Sequence, residues 1–174
     1  MSMDLKILYS EEDIQNKIKE LAQKMNEFYN GEEVTVVCVL KGAVMFATDL
    51  VKHLNMPIQM EFIRLSSYGS SLTTSGKVNA VDIKLPDLNN KNVLIVEDIV
   101  DTGLTAKFLI DFMNMNFHVK TLKFCSLLDK KITRKIDIEP DFYGFEVDDR
   151  FVVGYGLDYE GYYRNLPYIG FKEN

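Results

Sequence analysis

The sequence predicts an α/β fold with a mainly parallel sheet flanked by helices, on three observations. Short, nearly all-apolar runs rich in β-branched residues recur along the chain, as expected of strands buried on both faces. Amphipathic helical patterns lie between them, and strands alternating with helices imply parallel pairing. The composition, 47% hydrophobic and 26% charged over 174 residues, suffices for one packed core with a small appendage.

The elements follow in order. Residues 10–29 predict a helix, because Ile14, Ile18, Leu21, Met25 and Phe28 recur at helical spacing behind Ser10 and Asp13, a pairing suited to capping its start. Asn30 and Gly31 stop it. Residues 34–40 predict a buried strand, and a helical pattern runs from Gly42 to His53 until Pro57 breaks the chain. Residues 58–65 predict a second strand. Residues 78–83 predict one arm of a hairpin, 93–96 a further buried strand, 105–115 a helix, 119–128 a strand and 141–145 the last strand of the sheet. The end of the chain, 151–174, is rich in Tyr and Gly and reads as irregular.

One stretch stands apart. Nine of the eleven residues from Ser66 to Gly76 are Ser, Thr or Gly, so it has little to bury. A linker needs an independent domain on each side, and neither side has one. An active-site lid over roughly 66–80 is therefore the favoured reading.

Charge and cysteine content narrow the function. The formal net charge is -6 and no long basic block occurs, which argues against nucleic-acid binding. Cys38 and Cys125 both lie in apolar runs and predict buried free thiols, in keeping with a reducing compartment. The N-terminus has no secretory pattern and no window approaches a membrane span, so a cytoplasmic protein is expected. His53 and His118 lack clustered partners and read as surface residues.

The chemistry concentrates in VLIVEDIVDTGLTA, residues 93–106. In an open parallel sheet, ligands sit beyond the carboxyl ends of the strands, and Glu97 and Asp98 follow the buried run there. Adjacent carboxylates in such a place need hydroxyls, cations or water to satisfy them. Asp101 to Thr105 then turns into a helix. Gly103 lets a ligand approach the backbone, Thr102 and Thr105 offer hydroxyls, and the free N–H groups of a helix start favour an anion. Carboxylates for sugar hydroxyls beside a phosphate cradle describe a ribose 5-phosphate site. Neither GxxxxGK[ST] nor GxGxxG occurs, and too little chain follows Glu97 for VLIVED to open a receiver domain.

This motif resembles the phosphoribosyl-pyrophosphate signature of type I phosphoribosyltransferases, and four further segments resemble the purine (hypoxanthine–guanine) branch, from about Val34 to Tyr168. The resemblance implies the type I phosphoribosyltransferase fold over a single domain, 1–174. Its hood would come mainly from 146–174, with part of the N-terminus a candidate second contributor. By resemblance Glu97 and Asp98 hold the ribose hydroxyls, partly through Mg²⁺. Asp101, Thr102, Gly103, Leu104 and Thr105 hold the 5-phosphate, and Asp101 handles the proton at the purine imidazole.

The other segments complete the set. Leu40-Lys41-Gly42-Ala43 resembles the family's pyrophosphate loop, which carries a non-proline cis peptide at the position of Leu40–Lys41. Ser67-Tyr68-Gly69 resembles the start of the lid that closes over pyrophosphate. Leu127-Leu128-Asp129-Lys130-Lys131 resembles the segment whose lysine donates to the purine 6-oxo group. Alignment favours Lys130, with Lys131 open as the alternative. An ammonium only donates, so it suits an oxygen acceptor and disfavours adenine's amino group. Residues 151–159 and 163–168 resemble the hood, implying that Phe151 stacks on the base, Val152 meets its Watson–Crick edge through the main chain, Asp158 binds both the purine and Mg²⁺, and Arg164 binds pyrophosphate. The implied reaction passes a phosphoribosyl group from 5-phosphoribosyl-1-pyrophosphate to N9 of a 6-oxopurine, giving IMP or GMP and pyrophosphate, in a homo-oligomer. A nucleotide-sensing regulator on the same fold and a xanthine- or guanine-preferring enzyme are the alternatives. Catalysis is favoured by Asp101, Lys130 and Arg164 together.

Overall fold

The computed structural model describes residues 4–67 and 78–173, with the backbone alone at 66, 67 and 78–82. The chain runs β1 (Leu5–Tyr9), α1 (Glu11–Tyr29), β2 (Val34–Leu40), α2 (Val44–Val51), β3 (Ile58–Ser67), β4 (Val78–Asp82), β5 (Asn92–Val100), α3 (Leu104–Asn116), β6 (Thr121–Asp129), a 3₁₀ turn (Lys131–Thr133), β7 (Phe142–Glu146), β8 (Val152–Val153) and β9 (Ile169–Lys172). Tyr68 and most of the expected lid lie outside the described residues.

The main sheet has the order β4-β3-β2-β5-β6-β7. All neighbours from β3 to β7 are parallel, and β4 folds back antiparallel on β3 as the expected hairpin arm. Successive strand residues face opposite sides, which is why the runs are apolar throughout. Val36, Cys38, Leu94, Val96 and Cys125 pack with α1 and α2 on one face. Val37, Val39, Val93, Ile95 and Phe124 pack with Ala106, Leu109 and Met113 of α3 on the other. Both cysteines are free and buried within these layers.

Helix α1 begins where the sequence places it. The Ser10 hydroxyl accepts from the Asp13 amide at 3.1 Å and the Asp13 carboxylate accepts from the Ser10 amide at 3.0 Å. This reciprocal cap satisfies two donors that the helix itself cannot. Asn30, left-handed at φ 48°, ends it. Ile14, Ile18, Leu21 and Met25 of its apolar stripe are buried together with Tyr29, whereas Phe28 is exposed. No helix among the described residues is long and apolar enough to cross a membrane.

A second, three-stranded sheet departs from the expectation of an irregular C-terminus. Its order is β1-β9-β8, antiparallel throughout, so the first described strand pairs with the last. Ladder partners so distant in sequence leave no local periodic trace in segments of two to five residues.

Candidate active site

The acidic pair lies inside a strand, not after one. β5 continues to Val100 because β6 goes on supplying a ladder, with Glu97 opposite Ser126, Ile99 opposite Leu128 and Val100 opposite Asp129. On its other side β5 loses its partner at Val96, where β2 turns away. The two acids therefore sit at a notch in the sheet, which corrects the strand end expected at residue 96.

Gly42 fills part of that notch. A Cβ added there would lie 1.9 Å from Asp98 Oδ2, so any residue but glycine would push the carboxylate out of its place. Glu97 is buried. Burial pushes its carboxyl well above the usual range, and the Asp98 charge pushes the same way. Burial raises the Asp98 carboxyl too, against the pull of the Ile99 amide, Glu97 and Arg164. The Ile99 amide donates to Asp98 Oδ1 at 2.8 Å.

The next residues form the loop into α3. Gly103 is left-handed at φ 88°. Its carbonyl accepts from Lys107 at 2.9 Å and so opens the helix ladder. A cavity of about 300 Å³ is walled by Glu97, Asp98 and the chain from Ile99 to Gly103, and it reaches Thr105 and Ala106 of the first helical turn. Main-chain N–H groups in a first turn have no acceptor within the helix. The cavity thus has a carboxylate end and an amide end, as a sugar phosphate requires.

Behind the loop stands a segment that nothing in the sequence singles out. The Lys135 and Ile136 amides donate to the Thr102 carbonyl at 2.9 and 3.2 Å. The Arg134 guanidinium donates to the carbonyls of Asp101 at 3.0 Å, Val100 at 3.4 Å and Ile138, and it pairs with the Asp129 carboxylate, which is fully buried. Charge-assisted bonds of this kind fix a loop more firmly than neutral ones. An arginine in a polar loop has no period to betray it.

The remaining candidates gather around this centre. The Leu40–Lys41 peptide is cis. Gly156, at φ 98°, lies so close to the Gly42 carbonyl that a Cβ would meet its oxygen at 2.1 Å. The Gly156 carbonyl accepts from Arg164 Nη1 at 2.6 Å, and Arg164 Nη2 pairs with Asp158 Oδ1 at 3.0 Å. The Gly161 amide donates to the other Asp158 oxygen at 2.7 Å. Asp98, Gly42, Gly156, Arg164 and Asp158 thus form one connected series.

The two lysines separate. Lys130 Nζ donates to the Arg150 carbonyl at 3.2 Å, beside Phe151. Lys131 turns to the sheet edge, pairing with Glu146 at 3.3 Å and lying over the Tyr143 ring. Phe151 is 62% exposed and meets Tyr159 edge-to-face, while Val152 is buried in β8. Ser67 ends β3 and Lys41 is exposed at the turn after β2. His53 and His118 are exposed. Among the described residues no three His, Cys, Asp or Glu side chains come together to cage a metal.

Residues 4–160 match the family model for the phosphoribosyl transferase domain. The chain belongs to the phosphoribosyltransferase family. It is 46% identical over 165 residues to the hypoxanthine-guanine phosphoribosyltransferase of Bacillus subtilis, covering 95% of this chain and 91% of the relative. It is 42% identical to the hypoxanthine-guanine-xanthine phosphoribosyltransferase of Tritrichomonas foetus, covering 95% and 90%. A crystal structure of a hypoxanthine-guanine phosphoribosyltransferase from Bacillus anthracis superposes with a TM-score of 0.92 at 44% identity, covering 99% of this chain and all of that one. The five parallel strands and their flanking helices are those of a type I phosphoribosyltransferase.

Proposed function

We propose that this phosphoribosyltransferase serves purine salvage, transferring the 5-phosphoribosyl group of 5-phosphoribosyl-1-pyrophosphate to N9 of hypoxanthine or guanine and releasing pyrophosphate with IMP or GMP. The observation that carries it is a cavity with Glu97 and Asp98 at one end and a helix start at the other, with Gly42 against Asp98 and with Lys130, its amide bonded to the Val100 carbonyl, held beside Phe151.

Roles follow from the chemistry of the groups. Thr102 to Thr105 and the first turn of α3 offer donors to the 5-phosphate. Glu97 and Asp98 accept from the ribose hydroxyls. Arg164 and the Lys41–Gly42 turn face the leaving pyrophosphate, and the family resemblance assigns Ser67 and Tyr68 to it as well. Phe151 offers its exposed ring to the base, the Val152 main chain its edge, and Lys130 a donor to the 6-oxo oxygen. The position of Lys130 beside Phe151, with Lys131 held at Glu146, supports Lys130 in that role. As N9 bonds to the anomeric carbon, the bond from that carbon to pyrophosphate breaks, and Asp101 takes the imidazole proton.

The acidic pair fits Mg²⁺. Two carboxylates that burial pushes up, Glu97 further by the Asp98 charge, are relieved by a dication. The lack of a three-carboxylate cage among the described residues suits an ion that keeps most of its shell for water and substrate oxygens. Asp158, held by Arg164, would join such a shell. When bound, Mg²⁺ would neutralise the diphosphate that this net-acidic chain otherwise repels. A cytoplasmic homo-oligomer remains part of the proposal, supported by the free thiols and the family.

The test is direct. The chain is incubated with 5-phosphoribosyl-1-pyrophosphate, Mg²⁺ and hypoxanthine, guanine or xanthine separately, and nucleotide is measured. IMP or GMP should form, chelator should abolish it, and added Mg²⁺ should restore it. Absence of nucleotide with every base would overturn the activity. Full turnover in excess chelator would overturn the metal.

A further inference from the structure

The 3₁₀ turn Lys131–Thr133 follows the base-facing lysine directly and reaches back under the phosphate loop. The Thr133 hydroxyl donates to Asp101 Oδ1. Its alternative acceptor is the Lys130 carbonyl, at 3.1 Å. A hydroxyl has one proton to give, so the Asp101 bond is made in preference to, or in exchange with, the one to Lys130. Asp101 Oδ2 carries no hydrogen bond to any described residue.

The neighbouring residue holds the main chain of the same aspartate. Arg134 Nε donates to the Asp101 carbonyl at 3.0 Å and is itself fixed by buried Asp129. Asp129 precedes Lys130, whose amide donates to the Val100 carbonyl at 2.9 Å. One short segment, 129–134, therefore sets both Asp101 and Lys130. The loop bearing Asp101 is exposed at that residue, so without a partner its carboxylate would turn freely among rotamers.

We propose that Thr133 is a positioning residue for the transfer step, clamping Asp101 Oδ1 so that Oδ2 alone faces the purine imidazole. The proposal rests on the reading of Asp101 as the proton acceptor. As the bond from N9 to the anomeric carbon forms, the bonding pair to pyrophosphate leaves with the diphosphate, and the imidazole proton passes to Oδ2. Oδ1 keeps the Thr133 proton throughout. Thr133 touches no substrate atom in this scheme and acts through Asp101.

The experiment is a double-mutant cycle on the full chain. Thr133→Val keeps the side-chain shape and removes the hydroxyl. Thr133→Ser keeps the hydroxyl. Each is made in the wild-type chain and with Asp101→Asn, and kcat, both KM values and Tm are measured. Thr133→Val should lower kcat about tenfold, the factor a single charge-assisted hydrogen bond commands. KM for 5-phosphoribosyl-1-pyrophosphate should change less than about twofold, and Thr133→Ser should recover most of the rate. Beside Asp101→Asn, Thr133→Val should have almost no further effect on kcat. Loss of the Thr133–Lys130 bond is common to both backgrounds and cancels.

Unchanged kcat in Thr133→Val would overturn the proposal. So would an equal fall in both backgrounds, or a failure of Thr133→Ser to recover the rate while Tm stays at the wild-type value. Unchanged kcat in Asp101→Asn alone is a different failure: it removes Asp101 from the chemistry, and the proposal with it, while nucleotide formation by the wild-type chain still stands.

Discussion

Replacing Gly42 by alanine should cost far more activity than stability. The added Cβ would lie 1.9 Å from Asp98 Oδ2 and 2.7 Å from Asp98 Cγ. Contact at ordinary separation requires the carboxylate to retreat by about 1 Å or more. The obstacle is the end of a side chain, so the backbone need not move, and the overpacking cost should stay near about 1 kcal/mol. In a chain of this length that is a fall in Tm of roughly 2–4 °C. The displaced group is one of the two proposed ribose and metal ligands, however. A misplacement of about 1 Å in such a group lowers rate by something like 10²-fold. Gly156→Ala is the contrasting case. Its Cβ would meet the Gly42 carbonyl oxygen at 2.1 Å, an obstacle in the backbone, at φ 98°. Left-handed strain of about 1–2 kcal/mol then adds to an overpacking cost of about 1–3 kcal/mol, for a fall in Tm of roughly 4–20 °C. Gly161→Ala controls for the strain term alone, since it has φ 86° and nothing within 4 Å. Thermal melts and kcat/KM for 5-phosphoribosyl-1-pyrophosphate are measured on all three. A Gly42→Ala variant that keeps kcat/KM within about threefold of wild type would refute displacement of Asp98, and a Gly156→Ala variant that melts no lower than Gly161→Ala would refute the backbone overlap.

Three further outcomes are expected. Lys130→Ala should lose 6-oxopurine turnover by about 1–3 kcal/mol of transition-state binding, while Lys131→Ala, at the Glu146 edge, should keep it; kinetics with the opposite pattern would reassign the base donor. Asp101→Asn should lower the forward kcat by ~10²–10⁴-fold with little change in substrate affinity or Tm, and lost binding with a collapsed melt would make Asp101 structural instead. Glu97→Gln bears on pH. Burial raises the Glu97 carboxyl above its unfolded value, so its contribution to stability is present below the ordinary carboxylate range and is lost as pH rises through the folded pKa. The amide does not titrate, so the Tm advantage of Glu97→Gln over wild type should widen from pH 4 to pH 8 in metal-free buffer; a constant gap would show that Glu97 is not strained by its charge.

Much of the sheet was legible because its signals are local. The runs at 34–40 and 93–96 announce strands buried on both faces, and the structure buries alternate residues under α1 with α2 and under α3. Ser10, Asp13 and Asn30 mark both ends of α1. The turn from Asp101 into α3 could be read because a phosphate loop needs glycine, hydroxyls and a helix start within a few consecutive residues. Its resemblance to a known family then carried the candidate list to segments such as Phe151 and Arg164, whose residue types alone point nowhere.

What the sequence by itself determined, then, was the features carried by strong local signals: the period of the main-sheet strands and of the helices, the caps of α1, and the acidic pair three to eight residues ahead of its phosphate cradle. The tertiary structure alone decided the features made by distant partners. β5 runs past Val96 because β6 continues beside it after the ladder to β2 has stopped, and Glu97 and Asp98 are costly to ionise because the packed fold, with Gly42 against Asp98, takes them out of water. The pairing of β1 with β9 joins opposite ends of the chain. Lys130 and Lys131 are indistinguishable as neighbours in sequence, and they part because the 3₁₀ turn sends one to Arg150 and the other to Glu146. Arg134 and Thr133 acquire meaning only against Asp101, some thirty residues away. Sequence periodicity reports which face of its own element a residue occupies; which other element covers that face is set by packing, and packing is where this site is assembled.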